Sequence, residues 1–293
     1  MSSLTAPPPR RIHPPLPSRR SAGFTLVESV MVIAMTGVLA AVVSLFIARP
    51  VQAYLANSAR ADLVDQADNA LRRIGRDLRL ALPNSTRVTA SGLALELVPT
   101  TGGARYATEG SGKLEFGSLD TSFDLIGPAL TLGTSQQLVF YNLGTGVVGS
   151  DAYAANGSAT EQASSNRRSA TNAAGAATTI TLSSAAGLPV GSFAPPYRVL
   201  AVSPPVSYRC DLAAGTLTRY SSYGFVATQP DPPSGGSSAV IATGVSGCQF
   251  SADGNLVAAR AALVNLRLTL AANTGSGIES VTLNHATYVD ILP

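Results

Sequence analysis

From Phe24 to Ala48 the chain reads FTLVESVMVIAMTGVLAAVVSLFIA, and Glu28 is its only charged side chain. An apolar run of about twenty residues, here 29–48, is long enough to cross a bilayer as a helix. A carboxylate inside such a span is expensive, roughly 2.5–3.5 kcal/mol at its centre on insertion scales. A segment that served only as an anchor would have no use for it. Upstream, residues 1–23 hold Arg10, Arg11, Arg19 and Arg20 and no acidic residue. Positive flanks of this kind stay on the cytoplasmic side, so the chain after Ala48 is expected across the membrane.

Two simpler explanations leave something over. A secretory signal has a shorter apolar core followed by small residues for cleavage. An ordinary signal anchor accounts for the span but not for Gly23-Phe24 or Glu28. The basic leader, Gly23-Phe24-Thr25-Leu26, the glutamate at position 28 and the span together resemble the processing site of type IV prepilins and pseudopilins. That resemblance implies cleavage by a prepilin peptidase between Gly23 and Phe24, N-methylation of Phe24 by the same class of enzyme, and a role for Glu28 in assembly. It further implies pilin or pseudopilin subunits and an inner-membrane assembly platform as partners. The expected location is the inner membrane, single-pass, with the leader cytoplasmic and the C-terminal part periplasmic; incorporation into a surface pilus is left open.

The basic balance of the whole chain misleads about the mature protein. It carries 20 basic and 17 acidic residues, and four of the arginines lie in the leader. Without residues 1–23 the acidic side is ahead by one, and no basic stripe with interleaved aromatics points to nucleic acid. Only 13% of residues are charged, with 27 glycines, which suits an exported, loop-rich β structure. Cys210 and Cys248 are the two cysteines. Across the membrane they would meet an oxidising compartment and pair; two free buried thiols are the alternative.

Downstream of the span, Leu55, Ala59, Leu63, Ala67, Leu71, Ile74, Leu78 and Leu82 recur in steps of three and four. That spacing predicts an amphipathic continuation of the helix, with Arg60, Asp62, Asp65, Asp68, Arg72, Arg73, Arg76 and Asp77 on its other sides. Pro50 is expected to kink it and Pro83-Asn84 to close it. Helical throughout, residues 24–82 would extend about 88 Å. After Asn84 the period shifts towards two. Strands are expected near Leu93–Val98, Gln137–Leu143, Thr178–Leu182, Tyr197–Val202, Val206–Cys210 and Gly215–Tyr220. The clearest signal is a terminal hairpin, Val264–Leu270 and Val281–Ile291, joined through Asn273–Gly277. The fold class is therefore α+β: a long N-terminal helix (24–82) on an antiparallel, β-rich domain (83–293). Residues 144–177 are rich in Ala, Ser, Asn and Gly, and 229–238 in Pro and Gly. Both are expected to be exposed, mobile insertions.

No enzyme is legible. Gly144, Gly146 and Gly149 satisfy G-x-G-x-x-G after a predicted strand, but low-complexity sequence follows in place of a helix, and Glu161 comes too early to hold a ribose. Gly110-Ser111-Gly112-Lys113 lacks the first glycine and the Ser/Thr of a phosphate loop. His285 stands alone and reads as structural. Glu115, Asp120 and Asp124 lack the spacing of a calcium loop, so a solvated face is favoured over a cation site. No cofactor and no metal are expected.

Within the pilin-like family, four segments are most similar to MshO-type minor pilins of the mannose-sensitive haemagglutinin (MSHA) pilus system. They are LRRIGRDLRLALPNSTRV (71–88), SYRCD and GTLTRY within 207–220, VSGCQF (245–250), and RAALVNLRLTL with GIESVTLNHATYVDILP at the C-terminus. The long middle of the chain departs from the pattern. The resemblance implies the pilin fold and a non-catalytic role in priming assembly or at the filament tip. A minor pseudopilin of a type II secretion system and a ligand-binding tip adhesin are the competing readings.

Overall fold

The structure, a computed structural model, describes residues 23–253, 261–275 and 277–293. The leader arginines, His13 and Arg260 lie outside the described residues. Helix α1 (Leu26–Arg79) is a single element of 54 residues with Pro50 inside it. Contacts divide the chain into two units, residues 1–54 and Leu55–Pro293.

After α1 the chain forms β1 (Arg87–Val88) and β2 (Ala94–Leu97). Residues 100–202 then supply β3 (Thr100–Tyr106), β4 (Ser122–Ile126), β5 (Leu130–Leu132), β6 (Gln137–Phe140), the short helix α2 (Ala159–Gln162), β7 (Arg167–Ala170), β8 (Gly175–Ala177), β9 (Thr179–Ser183) and β10 (Arg198–Val202). The remainder gives β11 (Val206–Asp211), β12 (Thr216–Ser221), β13 (Ser237–Thr243), β14 (Val245–Asp253), β15 (Ala261–Asn273) and β16 (Ile278–Asp290). The α+β class and the antiparallel pairing expected from the sequence are both present.

The sheets sort into a frame and an insert. A five-stranded sheet runs β1-β2-β11-β12-β13, and a separate sheet runs β14-β15-β16. In the frame β2 and β11 are immediate neighbours, with Val206 opposite Leu97 and Arg209 opposite Ala94. Everything from 100 to 202 therefore leaves and re-enters between two adjacent strands. At that neck the Ser203 N–H donates to the Pro99 carbonyl at 2.9 Å. The insert closes on itself as a six-stranded barrel, β10-β3-β4-β9-β7-β6, with β5 and β8 paired beside it. Closure removes the unpaired edges that an open insert would expose.

Two cores follow from this division. In the frame, Leu63, Ala67, Leu71, Ile74 and Leu78 of α1 pack on Leu95, Leu97, Tyr208, Leu217, Phe250, Leu266, Leu268 and Leu270. These α1 residues are the stripe that the spacing predicted, but Leu55, in the same series, is exposed. The barrel core holds Tyr106, Phe123 and Phe140, their rings about 6 Å apart, at 6.3, 6.0 and 5.9 Å. A smaller cluster of Leu82, Val98, Val139, Ala152, Tyr153 and Val202 joins the two. The terminal hairpin pairs from Ala261 opposite Asp290 to Asn273 opposite Ile278.

Three expectations need correction. The helix ends at Arg79 rather than Leu82, because Leu82 N–H donates to Val98 O and Leu80 O accepts from Thr100 N–H, each at 2.7 Å. The strand that follows thus captures the backbone of the last turn. Residues 144–177 are an exposed insertion only in part. They contain α2, β7 and β8, and Ser150, Asp151, Ala152, Tyr153, Ser165, Asn166, Arg167 and Arg168 are buried. Polar anchoring there does what large apolar residues do elsewhere. The stretch 229–238 is exposed along most of its length, but Pro233 is buried and Asp231 accepts from Arg209 Nε at 2.7 Å.

Candidate functional site

The sequence places the chemistry at the start of α1, and the local geometry there is that of a capped helix. Gly23 and Phe24 precede the helix and are exposed. Thr25 is the cap: its Oγ1 accepts from Glu28 N–H at 3.2 Å and its carbonyl from Ser29 N–H at 3.1 Å. Glu28 therefore sits in the first turn, where the helix dipole favours an anion. This Thr-x-x-Glu relation is a local reason for the glutamate that spacing alone had not supplied. Its carboxylate is exposed and makes no ion pair among the described residues.

Around that carboxylate the helix is apolar on every side. Leu26, Val30, Met31, Ile33, Met35, Val38, Leu39, Val43, Leu45 and Phe46 are all exposed. A helix apolar all round is a buried or membrane-spanning one, and this one is long and apolar enough to cross a membrane. Thr36 folds its hydroxyl onto the Val32 carbonyl at 2.6 Å. Its polar group is thus satisfied within the helix, as a bilayer interior requires.

In the second unit, the end of α1 is fixed to the sheets by charge and shape. Asp77 Oδ2 accepts from the Tyr208 hydroxyl at 2.6 Å and from Arg219 Nε at 3.2 Å. Burial first, and Asp77 second, push the Tyr208 phenol above its ordinary pKa. Gly75 faces β16: a Cβ there would lie 2.9 Å from His285 Nε2 and 3.3 Å from Thr287 Oγ1. A larger residue there would have to displace the His285 ring. His285 Nε2 is itself 3.0 Å from Thr287 Oγ1, which accounts for it as a structural residue. Arg60 pairs with Glu279 at 2.7 Å.

The paired cysteines lie on different sheets. Cys210 of β11 and Cys248 of β14 form a disulfide, with Cα atoms 6.4 Å apart. Loop closure of this length is worth roughly 3–4 kcal/mol in the chain-entropy account.

Two polar clusters escaped the sequence reading. Arg87 Nε meets Glu96 at 2.5 Å, its NH1 and NH2 donate to Ala227 O and Val226 O at 2.6 and 2.7 Å, and its guanidinium lies 3.7 Å over the Tyr153 ring. Glu96 also accepts from Tyr223 OH at 2.7 Å. Edge strand, loop and barrel segment thus share one buried ion pair. Arg168 is fully buried in the barrel wall. It donates to the carbonyls of Ser165, Arg167, Gln162, Ala186 and Gly187 and to Ser184 Oγ, all at 2.8–3.1 Å. Burial pulls its pKa down to about 10. Arginine in a low-complexity stretch was the available signal, since such a charge has no reason to be there unless something coordinates it.

The weaker motifs resolve into ordinary loop structure. Gly146 N–H donates to Asp151 Oδ2 at 2.8 Å, and Gly144 N–H to Ser150 O at 3.3 Å. The amides a nucleotide phosphate would need are already engaged. Lys113 pairs with Glu115 at 2.8 Å. Asp120 accepts from Glu115 N–H at 2.8 Å, and Asp124 from the Thr179 hydroxyl at 2.6 Å. No group of three His, Cys, Asp or Glu side chains converges on a metal position among the described residues. Comparison with protein-family models, with curated proteins and with solved structures gives no match.

Proposed function

We propose that the chain is a non-catalytic, type IV pilin-like assembly subunit, most like a minor pilin of the MSHA type, that primes a filament or sits at its tip. The observation that carries this reading is the juxtaposition at the head of α1. A Gly23-Phe24 bond lies beside the cap residue Thr25, with Glu28 in the first turn of a membrane-length helix that is apolar all round. Cleavage there frees the Phe24 amine, which is cationic near neutral pH. A carboxylate left in a low-dielectric bundle needs a partner, and the amine of a neighbouring subunit supplies one. Glu28 then sets both docking and register.

The rest of the chain supports an exported role. The Cys210–Cys248 bond suits an oxidising compartment such as the periplasm. The leader would remain cytoplasmic while the span holds the protein in the inner membrane. Partners are the prepilin peptidase, other pilin or pseudopilin subunits and an assembly platform. A barrel of about a hundred residues inserted into the frame favours a low-copy subunit over a densely packed shaft component.

Intact mass and N-terminal sequencing of the membrane-extracted protein, with and without prepilin peptidase, test this. The expected product begins at Phe24 and depends on the peptidase; an uncut chain overturns the reading. Glu28→Gln is expected to be cleaved like the parent and to be lost from sheared filaments.

A further inference from the structure

A cleft of about 410 Å³ opens between the end of α1 and strand β16, lined by Asp68, Arg72, Gly75, Arg76, Arg79 and His285. Steps of three and four put Arg72, Gly75, Arg76 and Arg79 on one flank of the helix. Gly75 is buried and has no side chain to fill the space. Three guanidinium groups stand against one carboxylate, a surplus of two positive charges. Asp68 holds Arg72 through Nε at 2.6 Å and leaves the two terminal nitrogens of that guanidinium uncommitted. Arg76 and Arg79 make no ion pair among the described residues. From the strand side, the buried Thr287 hydroxyl has His285 Nε2 as its partner at 3.0 Å. A hydroxyl that donates there keeps the imidazole proton on Nδ1, so the ring retains a donor of its own.

Cations near a helix C-terminus are favoured by its dipole, and that explains arginines here. It does not explain the cleft beside them or the histidine on its far side. Nor are the arginines needed as caps for the carbonyls nearest them. Those of Asp77 and Leu78 accept from Leu80 N–H and Ala81 N–H at 3.2 Å, and that of Leu80 from Thr100 N–H at 2.7 Å. We infer that the cleft binds a phosphate group, carried either by a small soluble compound or by a phospholipid headgroup. Guanidinium forks match the oxygens of phosphate and carboxylate alike, and charge decides between them. A phosphate monoester carries about −1.5 to −2 near pH 7, which meets the surplus of two; a single carboxylate leaves one positive charge over. The volume exceeds that of a bare phosphate and lies within the range of small-molecule sites, so the phosphate would be borne on a larger body. The site does not depend on how the N-terminus is processed.

Isothermal titration of the full-length protein in a phosphate-free detergent, at fixed ionic strength, tests this with inorganic phosphate, glycerol 1-phosphate and acetate. Glycerol 1-phosphate is expected to saturate a single site with a Kd below about 1 mM, and acetate to bind at least about tenfold more weakly. Arg76→Gln with Arg79→Gln is expected to weaken glycerol 1-phosphate by about tenfold or more. Arg73→Gln, equally exposed but outside the cleft, is expected to leave it unchanged. Urea midpoints equal to the parent's show that the variants remain folded. Absence of saturable phosphate binding overturns the inference. So does acetate binding as tightly, an undiminished affinity in the double variant, or an equal loss in Arg73→Gln, each of which would mark a general anion surface. The two sources are separated in nanodiscs with and without phosphatidic acid. Competition by that lipid with added glycerol 1-phosphate assigns the cleft to a headgroup; its absence assigns the cleft to a soluble compound.

Discussion

Arg168 shows how a single side chain can order a segment that composition leaves shapeless. Its guanidinium gathers carbonyls from 162–167 and 186–187 around one buried charge. Replacement by leucine would strip those carbonyls of their donor at ~1–3 kcal/mol for each one left unpaired. Arg168→Leu is therefore expected to lower stability by about 3 kcal/mol or more. Limited proteolysis should find new cuts within 162–187, and an unchanged urea midpoint would contradict the account. Buried phenols give a second prediction. Burial is the leading cause raising the pKa of Tyr106, Tyr153, Tyr208 and Tyr223 above the ordinary value near 10. The folded state then holds protons that the unfolded chain releases above pH 10, so this stability is intact below pH 10 and lost as pH rises. Each tyrosine contributes up to ~1.4 kcal/mol per pH unit. Tyrosinate absorbance of these four residues, taken as the difference from a Tyr→Phe variant at each, should rise together with loss of circular dichroism above pH 10, apart from the signal of exposed rings such as Tyr54 and Tyr288. Ionisation of the four buried phenols well before the fold is lost would refute the linkage.

At the level of elements, what the sequence made legible was what repeats. The buried face of α1 and the long terminal hairpin carry periods of 3.6 and 2 over many residues, and both are in place. β3 was missed because TTGGARY has no apolar alternation; it is held by pairing with β10 and β4. β7 was missed because its buried positions include two arginines. Residues that act through distant partners leave no periodic trace: Asn84 Nδ2 donates to Asn142 O and Ile291 O, both at 2.9 Å, across 58 and 207 positions of chain. The proposed N-terminal site can be named from sequence because Gly23, Phe24 and Glu28 are nearly contiguous, while the cap geometry at Thr25 had to be seen. The disulfide joins two sheets that share no strand ladder. Cys210→Ser with Cys248→Ser is expected to lower stability by roughly 3–4 kcal/mol. Denaturant midpoints with and without reductant measure it; a shift under about 1 kcal/mol would mean the shared core alone holds the two sheets of the frame together.

The frame and the barrel have separate cores and a narrow neck, so the middle of the chain reads as a module placed inside an already complete sheet. Local propensity cannot reveal this, because β2 and β11 are ordinary short strands whose adjacency spans more than a hundred residues. If the frame is independent, residues 100–202 can be replaced by a short Asn-Gly turn, since Pro99 and Ser203 are already hydrogen-bonded across the neck. The cost falls where the two cores meet. Leu82 and Val98 lose the cover of Val139, Ala152, Tyr153 and Val202, worth roughly 1.5–3 kcal/mol for each newly exposed side chain, and Arg87 loses the ring above it. The excised protein is therefore expected to form the Cys210–Cys248 bond and unfold cooperatively, at a lower denaturant midpoint than the parent. Amide exchange should still protect the ladder from Leu97 to Val206. A chain that fails to form the disulfide would show that the frame needs the barrel in order to fold. The insert would then be a structural part of the subunit and could no longer be treated as a module carried by it.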